Sequence, residues 1–277
     1  MATPIGNLAD ISLRALDLLA TADVIACEDT RVTRKLLAAH AIQARLVLYH
    51  EHNAERIRPR LIEAMKCGEA VALVSDAGTP LVSDPGYKLV RAAIGEGLAV
   101  TVVPGPSAAL AALVLSGLPS DRFLFAGFLP AKAVARRRAL DDLAPIQATL
   151  VIFESARRLP KTLADMAAAL GAREAAVARE LTKLHEEVRR GALPDLAAHY
   201  RAAGPPRGEV VIVVGPPIES RRETTDEDLD ARLRAALDGA SVRDAVAAVA
   251  AATGAPRQRV YARALALARA RKGHARR

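Results

Sequence analysis

The chain has 277 residues, 51% of them hydrophobic, with no tryptophan and only 3% aromatics. That length accommodates two domains and an appendage, and a core of Ala, Leu and Val suits helices laid on parallel sheets. No apolar run reaches membrane-spanning length, and the opening MATPIGNLADISLRAL lacks the basic-then-apolar order of a signal peptide, so a cytoplasmic protein is expected.

Cys27 and Cys67 are too few for a disulfide framework and have no metal-ligand spacing, and both are expected to be ordinary buried thiols. The formal net charge of +8 is concentrated at one end. From Ala245 onward there is no Asp or Glu, while Arg257, Arg259, Arg263, Arg269, Arg271, Lys272, Arg276 and Arg277 account for the whole excess. Such a block on an otherwise neutral chain reads as a nucleic-acid contact, the alternative being a solubilising tail.

In chain order, Thr3-Pro4-Ile5-Gly6-Asn7 has the look of a strand-to-helix loop, followed by an amphipathic helix over 12–20. Only Met1 and Ala2 stand where its strand should be, so the true start is expected upstream of Met1. Residues 23–27 read as a strand running into Glu28-Asp29-Thr30-Arg31-Val32-Thr33, with a helix over 34–40. A strand over 46–49 ends in His50-Glu51-His52-Asn53, and 54–67 is an amphipathic helix. Two β-branched runs follow, 71–74 and 100–103, and each opens through a Gly, Pro, Ser and Asp loop into a helix-like run. Short apolar runs bounded by turn residues are how buried parallel strands read, and loops at their carboxyl ends are where such sheets bind ligands. Neither loop is a Walker A or a GxGxxG fingerprint, so a different small ligand, held largely by backbone groups, is implied. A close-packed helix over 108–116 and Gly117-Leu118-Pro119 end the first unit.

A second unit begins near Asp121 with a strand over 123–126, the loop Gly127-Phe128-Leu129-Pro130-Ala131-Lys132 and a helix over 134–143. Arg136, Arg137 and Arg138 give that helix one strongly basic turn. Strands at 149–153 and 175–178 enter Glu154-Ser155-Ala156-Arg157-Arg158 and Arg179-Glu180-Leu181-Thr182-Lys183, and a helix over 163–170 stops at Gly171. Gly204-Pro205-Pro206-Arg207-Gly208 precedes a last strand over 209–214. The domains are accordingly 1–118, 119–217 and, past a polar linker at 218–225, a basic helical unit at 226–277. That unit reads as helices over 226–237, 242–253 and 258–270, with Ser241 as an N-cap and Gly254-Ala255-Pro256 as a turn. It has a helix-turn-helix-like layout, the alternative being an appendage packed on the body or on a second subunit.

Six motifs occur in register: Thr3-Pro4-Ile5-Gly6-Asn7-Leu8, Cys27-Glu28-Asp29-Thr30-Arg31, Ser75-Asp76-Ala77-Gly78-Thr79-Pro80, Ser83-Asp84-Pro85-Gly86, Pro104-Gly105-Pro106-Ser107-Ala108 and Gly127-Phe128-Leu129-Pro130. Together they resemble the tetrapyrrole methylase superfamily over essentially the whole chain. The resemblance implies a two-domain α/β fold with S-adenosylmethionine in the cleft and the small helical unit appended. Within the superfamily the chain is similar to the branch that 2′-O-methylates cytidine 1402 of 16S rRNA in the small ribosomal subunit, acting as a homodimer. Carried over, Pro4, Ile5 and Gly6 lie near the donor, and Gly78, Thr79 and Pro80 take the place of the superfamily's Gly-Asp-Pro loop, with Thr79 replacing the Asp. Main chain from Thr79 to Val82 contacts the donor, Ser107 and Ala108 hold its carboxylate at a helix start, and Phe153, Leu181 and Gly208-Glu209 close over the adenosine.

A ribose hydroxyl is a weak nucleophile, so a base or a cation near it is expected. The catalytic candidates are Asp29, Arg31, Glu51 (with His50 and His52) and Lys132, with Glu154, Glu180 and Lys183 behind them. For each the alternative is a surface ion pair or a helix cap. Asp76 and Asp84 are expected to shape their loop and polarise the cleft. His50-Glu51-His52 lacks a third ligand, and no metal is expected. Arg31, Arg34, Lys132, Arg136, Arg137 and Arg138, with Arg259 and Arg263 of the helical unit, are the expected RNA contacts. Tyr49, Phe128 and Phe153 are the aromatics available to stack a base, Phe128 being equally readable as core. The rival readings are a corrin or porphyrin methylase and a nucleic-acid-binding regulator acting through the helical unit.

Overall fold

The computed structural model describes residues 1–82, 86–217, 226–253 and 255–274, the last six by backbone alone. The chain forms two compact units, Met1–Pro217 and Ile218–Arg277.

The larger unit opens with a three-stranded parallel sheet of order β2-β1-β3, made of β1 (Val24–Cys27), β2 (Leu46–Leu48) and β3 (Val71–Leu73). Every β1 residue is buried because successive side chains enter opposite helical layers. Ile25 and Cys27 meet Ala15 and Leu19 of α1 (Leu13–Thr21) and Leu36 and Leu37 of α2 (Thr30–Ala39). Val24 and Ala26 meet Leu61 and Ile62 of α3 (Ala54–Lys66) and Leu89 and Ala93 of α4 (Tyr87–Gly95). Side-chain caps set the helix starts: Ser12 Oγ accepts from Ala15 N, and the Asp29 carboxylate accepts from Arg31 N at 2.8 Å. That second cap starts α2 a turn earlier than the hydrophobic pattern suggests. Cys27 is buried, but Cys67 at the end of α3 is exposed, against expectation.

Residues 100–103 are not a strand, although their sequence reads as one. Beside them runs the chain start, where Met1 N donates to the Leu73 carbonyl at 2.9 Å and Ala2 N to the Val103 carbonyl at 3.1 Å, the one backbone bond to 100–103 from that side among the described residues. One hydrogen bond does not make a ladder, and Val100 and Val102 are left exposed.

The second sheet has five strands in the order β4-β5-β8-β6-β7: β4 (Phe123–Phe128), β5 (Thr149–Ser155), β6 (Glu174–Arg179), β7 (Glu187–Ala192) and β8 (Glu209–Val214). It departs from the parallel expectation. Only β4 and β5 are parallel; β8 runs antiparallel to β5 and β6, and β7 antiparallel to β6. The β6–β7 loop is too short for a crossover and permits only antiparallel neighbours. β7 and the helix after it, α8 (Leu193–Ala203), are absent from the sequence reading; Arg189 and Arg190 interrupt any apolar alternation in that strand.

Both faces of this sheet are covered. Leu150, Ile152, Val177 and Ile212 pack under α6 (Ala133–Leu143), α7 (Leu159–Leu170) and α8, against Leu140, Leu163, Met166 and Leu193. Val151, Ala178, Val211 and Val213 pack against Ala109, Ala112 and Leu113 of α5 (Ala108–Ser116). A helix from the first half of the chain therefore forms one layer of the second sheet.

The helical unit comprises α9 (Asp226–Leu237), α10 (Val242–Thr253) and α11 (Arg257–His274), joined around Leu229, Leu233, Val246, Val249, Val260 and Ala264. Ser241 Oγ accepts from Asp244 N at 3.2 Å, the expected N-cap. Arg263 grips Asp230 through two bonds of 2.6 and 2.7 Å and also pairs with Asp226, which takes Arg259 at 2.7 Å. Both cations assigned to RNA thus have carboxylate partners inside their own unit. The linker at 218–225, Gly254 and the side chains from Arg269 onward lie outside the described residues.

A further correction concerns the basic turn of α6. A helix advances about 100° per residue, so three consecutive arginines cannot share a face. Arg136 points inward and is only 5% exposed; its Nε and Nη2 reach Asp165 at 2.8 and 2.6 Å, and Nη1 donates to the Ala131 carbonyl. Arg137 and Arg138 remain outside. Arg136→Ala should therefore lower the unfolding free energy by about 3 kcal/mol in urea titration, because it empties a buried site and leaves the Asp165 carboxylate only the exposed Arg137 at 3.5 Å, and Arg138→Ala by less than about 0.5 kcal/mol. Equal small losses at both positions would refute the inward role of Arg136.

Candidate active site

The loops at the carboxyl ends of β3 and β5 converge with the start of α5 on a cavity of about 730 Å³ in the larger unit. One wall is Ile5, Ala77, Gly78, Thr79, Val82, Ser107 and Ala108; the other is Phe128, Phe153 to Arg157, Ala178, Leu181 and Pro206 to Val211. A second, smaller cavity of about 350 Å³ adjoins it, sharing Ile5, Ala77 and Glu209 and adding Pro4, Gly6, Thr33, Lys35, Asp76 and Lys183 among others.

The first wall is held by backbone. Thr3 and Gly78 exchange both N–H···O bonds at 3.0 Å, and Ser75 Oγ donates to the Gly78 carbonyl. Gly78 sits at φ +83, and a Cβ there would lie 3.1 Å from Ile5. Thr79 Oγ1 donates to the Pro106 carbonyl at 3.1 Å, tying the loop after β3 to the loop before α5. Ser107 caps α5, whose first N–H groups have no partner within the helix and carry the positive end of its dipole. The other end of α5 is fixed from the unforeseen strand: Arg190 Nε of β7 donates to the Leu115 and Ser116 carbonyls at 3.1 and 3.2 Å.

The second wall is held by charge and by strained backbone. Glu180 and Thr182 have φ of 49° and 65°, and Leu81, between the wall residues Thr79 and Val82, has 72°, a region that non-glycine residues adopt infrequently. Glu180 Oε1 accepts from Glu209 N at 3.0 Å and from Lys183 Nζ at 3.0 Å, and Lys183 also reaches Glu209 Oε2 at 2.8 Å. The Glu209 N–H, then the Lys183 ammonium, hold the Glu180 carboxyl below its usual range. Burial works against charge on Lys183, and Glu209 and Glu180 outweigh it, raising that ammonium's pKa. Gly6 lies against this loop so closely that a Cβ would meet the Leu181 carbonyl oxygen at 2.9 Å.

The aromatic wall is a stack of edges. The Phe153 ring lies 4.9 Å from Phe125 and 5.6 Å from Phe128, and Phe128 is 58% exposed on the cavity rather than in the core. Glu154, though it lines the cavity, is a structural carboxylate: its oxygens take Ser155 N, Arg158 and the Thr162 hydroxyl.

Of the donor-contact residues expected from the sequence, Ile5, Gly78, Thr79, Val82, Ser107, Ala108, Phe153, Leu181 and Gly208 line the larger cavity, and Pro4 and Gly6 the smaller. Ser83, Asp84 and Pro85 lie outside the described residues. Asp29, Arg31, Glu51 and Lys132 border neither cavity among the described residues. Asp29 is committed elsewhere: Arg31 and its N–H bonds hold its pKa at about 2. Arg31, Arg34, Glu51 and Lys132 are exposed, and the His50 and His52 rings meet edge-on at 5.8 Å. Sequence reasoning did not give Lys35, Arg157 or Arg207 a role, yet Arg157 and Arg207 stand at the larger cavity and Lys35 at the smaller. The signal was available for the two arginines, since each sits in a turn-rich loop beside a strand end.

The model for Tetrapyrrole (Corrin/Porphyrin) Methylases matches residues 2–197. The chain belongs to the tetrapyrrole methylase family. A second model, the RsmI C-terminal HTH domain, matches residues 223–268. The ribosomal RNA small subunit methyltransferase I of Mesorhizobium japonicum is 54% identical over 96% of this chain and 90% of its own length. That of Erythrobacter litoralis is 54% identical over 96% and 94%. Among solved structures, the cobalt precorrin-4 methyltransferase CbiF aligns with a TM-score of 0.57 at 21% identity, covering 76% of this chain and 91% of that one. Diphthine synthase aligns at 0.57 and 19% identity, over 76% and 87%. These two show the shared fold. As a family member the chain is a methylase, and its site must accommodate a methyl donor.

Gly208 tests the second wall. It has φ +94, and a Cβ would lie 2.4 Å from the Glu180 carboxyl carbon. Gly208→Ala should destabilise by roughly 2 kcal/mol in urea titration, and Gly204→Ala, with φ +79 but nothing within 4 Å, by roughly 1 kcal/mol. Equal losses would show that the Glu180 contact is slack.

Proposed function

We propose that the chain transfers a methyl group from S-adenosylmethionine to the ribose 2′-oxygen of a cytidine, position 1402, in 16S rRNA of the small ribosomal subunit. The observation that carries this is the larger cavity, built by two sheets and a capped helix start within a family of methylases. Its volume is that of a cofactor site, and its surfaces suit each part of the donor. The first N–H groups of α5 with Ser107 hold the carboxylate, main chain at Gly78 to Val82 holds the middle, and Phe153, Leu181 and Gly208 enclose the adenosine. When bound, the donor supplies a methyl group activated by a sulfonium. The protein's part is to fix that group in line with the acceptor oxygen and to exclude water.

The ribosomal substrate is supported by the names of the relatives and by exposed cations on the same unit, namely Arg31, Arg34, Lys132, Arg137 and Arg138, with Arg157 and Arg207 at the cavity itself. In this reading residues 1–118 and 119–217 are the two domains of the body, 226–277 is an accessory RNA-binding unit, and the protein works in the cytoplasm with ribosomal precursors. A homodimer is also part of the proposal. α5 is apolar all round, and its outer residues Leu110 and Val114 are 50% and 78% exposed, a face suited to a second copy.

The test is methylation of small subunits from a strain lacking the modification, with the labelled nucleotide mapped. Label at the 2′-oxygen of cytidine 1402 is expected, and label on another nucleotide or on a base would overturn the assignment. In calorimetry Ser107→Ala and Thr79→Ala should each weaken S-adenosylmethionine binding about tenfold, the first by removing a hydroxyl from the carboxylate site and the second by releasing the Thr79–Pro106 bond that holds the donor loop. Unchanged affinity in both would remove the donor from this cavity.

A further inference from the structure

The smaller cavity takes no part of the acceptor in the proposed function, yet it adjoins the donor cavity, sharing Ile5, Ala77 and Glu209 with it. Its size of about 350 Å³ suits a nucleoside rather than a second cofactor. Lys35 stands at its edge, and α2 continues that basic face outward through Arg31 and Arg34, one turn apart. An anionic ligand whose chain runs on beyond the cavity fits this layout, and a ribose with its flanking phosphates is such a ligand.

The carboxylates near the cavity differ sharply in what they have left to offer. Both oxygens of Asp29 are engaged by Arg31. Glu180 is bound by Lys183 and by Glu209 N, and Glu209 gives an oxygen to Lys183. Asp76 stands at the cavity wall beside the shared Ala77, and its Oδ1 accepts from Asp29 N at 3.0 Å. That bond holds Oδ1, and among the described residues Oδ2 has no hydrogen bond. Burial pushes the Asp76 pKa above the ordinary carboxylate value, against the opposing pull of the Asp29 N–H, and the nearby Asp29 charge adds to the rise. Glu28, at the end of β1, is raised by burial and by Asp76 in turn. The charged groups facing Asp76 are thus Glu28, Asp29 and Arg31 from the end of β1 and α2, with Lys35, Lys183 and Glu209 across the cavity.

We propose that the smaller cavity receives the ribose phosphate of the acceptor nucleotide and that Asp76 accepts the 2′-hydroxyl proton during methyl transfer. This rests on the ribose-methylation reading. A lone pair of the 2′-oxygen forms the new O–CH3 bond while the S–CH3 bond breaks and its electron pair stays on sulfur as a neutral thioether. The hydroxyl proton passes to Asp76 Oδ2, so that one cation and one carboxylate are neutralised together.

Two measurements decide it. The first uses the protein without donor: cytidine 3′-monophosphate and its 2′-deoxy analogue are titrated while the carboxyl carbon of Asp76 is followed by NMR. The ribonucleotide should move that resonance and the deoxy analogue should move it far less; equal responses, or none, overturn the subsite. The second measures methyl transfer to unmodified small subunits. Asp76→Asn keeps an oxygen for the Asp29 N–H but places an amide donor where the base stood. It should lower kcat at least about 100-fold and leave the dissociation constant for S-adenosylmethionine within about twofold. The wild-type rate should fall with decreasing pH as Asp76 protonates, and Asp76→Glu should restore part of the rate together with that acidic limb. A kcat within about threefold of wild type in Asp76→Asn, or a wild-type profile without the acidic limb, overturns the role of Asp76. If the wild type labels no ribosomal RNA, the ribose-methylation reading fails instead, and the nucleotide titration still judges the cavity.

Discussion

The architecture of the body depends on one packing contact, that of α5 against the five-stranded sheet. α5 follows the first sheet in sequence, but Ala109, Ala112 and Leu113 bury against Val151, Ala178, Val211 and Val213 of the second. Small residues on the helix let it sit close to the strands, and burying each aliphatic side chain of the facing layer contributes roughly 1.5–3 kcal/mol. The contact also fixes a direction. Arg190 binds the carboxyl end of α5, so the amino end must open on the space between the sheets. A single helix thus joins the halves and aims its unpaired N–H groups at the cavity.

The remaining contacts act as ties on that frame. Thr3 pairs with Gly78, Thr79 with Pro106, and Gly6 presses on the Leu181–Lys183 loop, each of them backbone to backbone or through a short hydroxyl. At the two glycines, Gly6 and Gly78, a side chain would crowd the facing residue. Gly78, Thr79 and Ser107 therefore stand along the first wall, while the long polar residues Glu154, Arg157, Arg207 and Glu209 belong to the second, and positive φ angles fall on Leu81, Glu180 and Thr182. Such a rim is rigid before a ligand arrives, which suits a reaction in which the protein's main contribution is alignment.

How much of this was legible in the sequence varied with the kind of residue. The cavity loops could be read because close backbone approach demands Gly, Pro and Ser at fixed places, and Gly78, Ser107 and Gly208 line one cavity. Strands buried on both faces, at 150–153 and 210–214, could be read for a similar reason: every residue there is apolar. β7 was not legible, because an edge strand that carries Arg189 and Arg190, the second binding the end of a helix, has no hydrophobic period. Residues 100–103 have the composition of a strand, but a ladder needs a neighbour as well as a composition. The arginine run of α6 misled for a related reason. Charge is a property of the sequence, whereas which of three adjacent arginines is buried depends on where Asp165 of the next helix lies.

The same distinction governs the acids. Asp29, Asp76 and Glu180 all stand in loops at strand ends, and sequence alone gives no means of ranking them. Their surroundings rank them by the number and charge of the donors that each carboxylate meets: a guanidinium and backbone N–H groups for Asp29, an ammonium and an N–H for Glu180, one N–H for Asp76. Stabilising the anion more strongly makes a weaker base. The same acid type therefore serves as a helix cap, as a pin for the second wall and, where only one bond restrains it, as a group with basicity left to use. Asp29 is itself the donor of that one bond, so the residue that starts α2 also orients Asp76. The cap of a helix and the chemistry of the cavity are in this way parts of one short hydrogen-bonded chain.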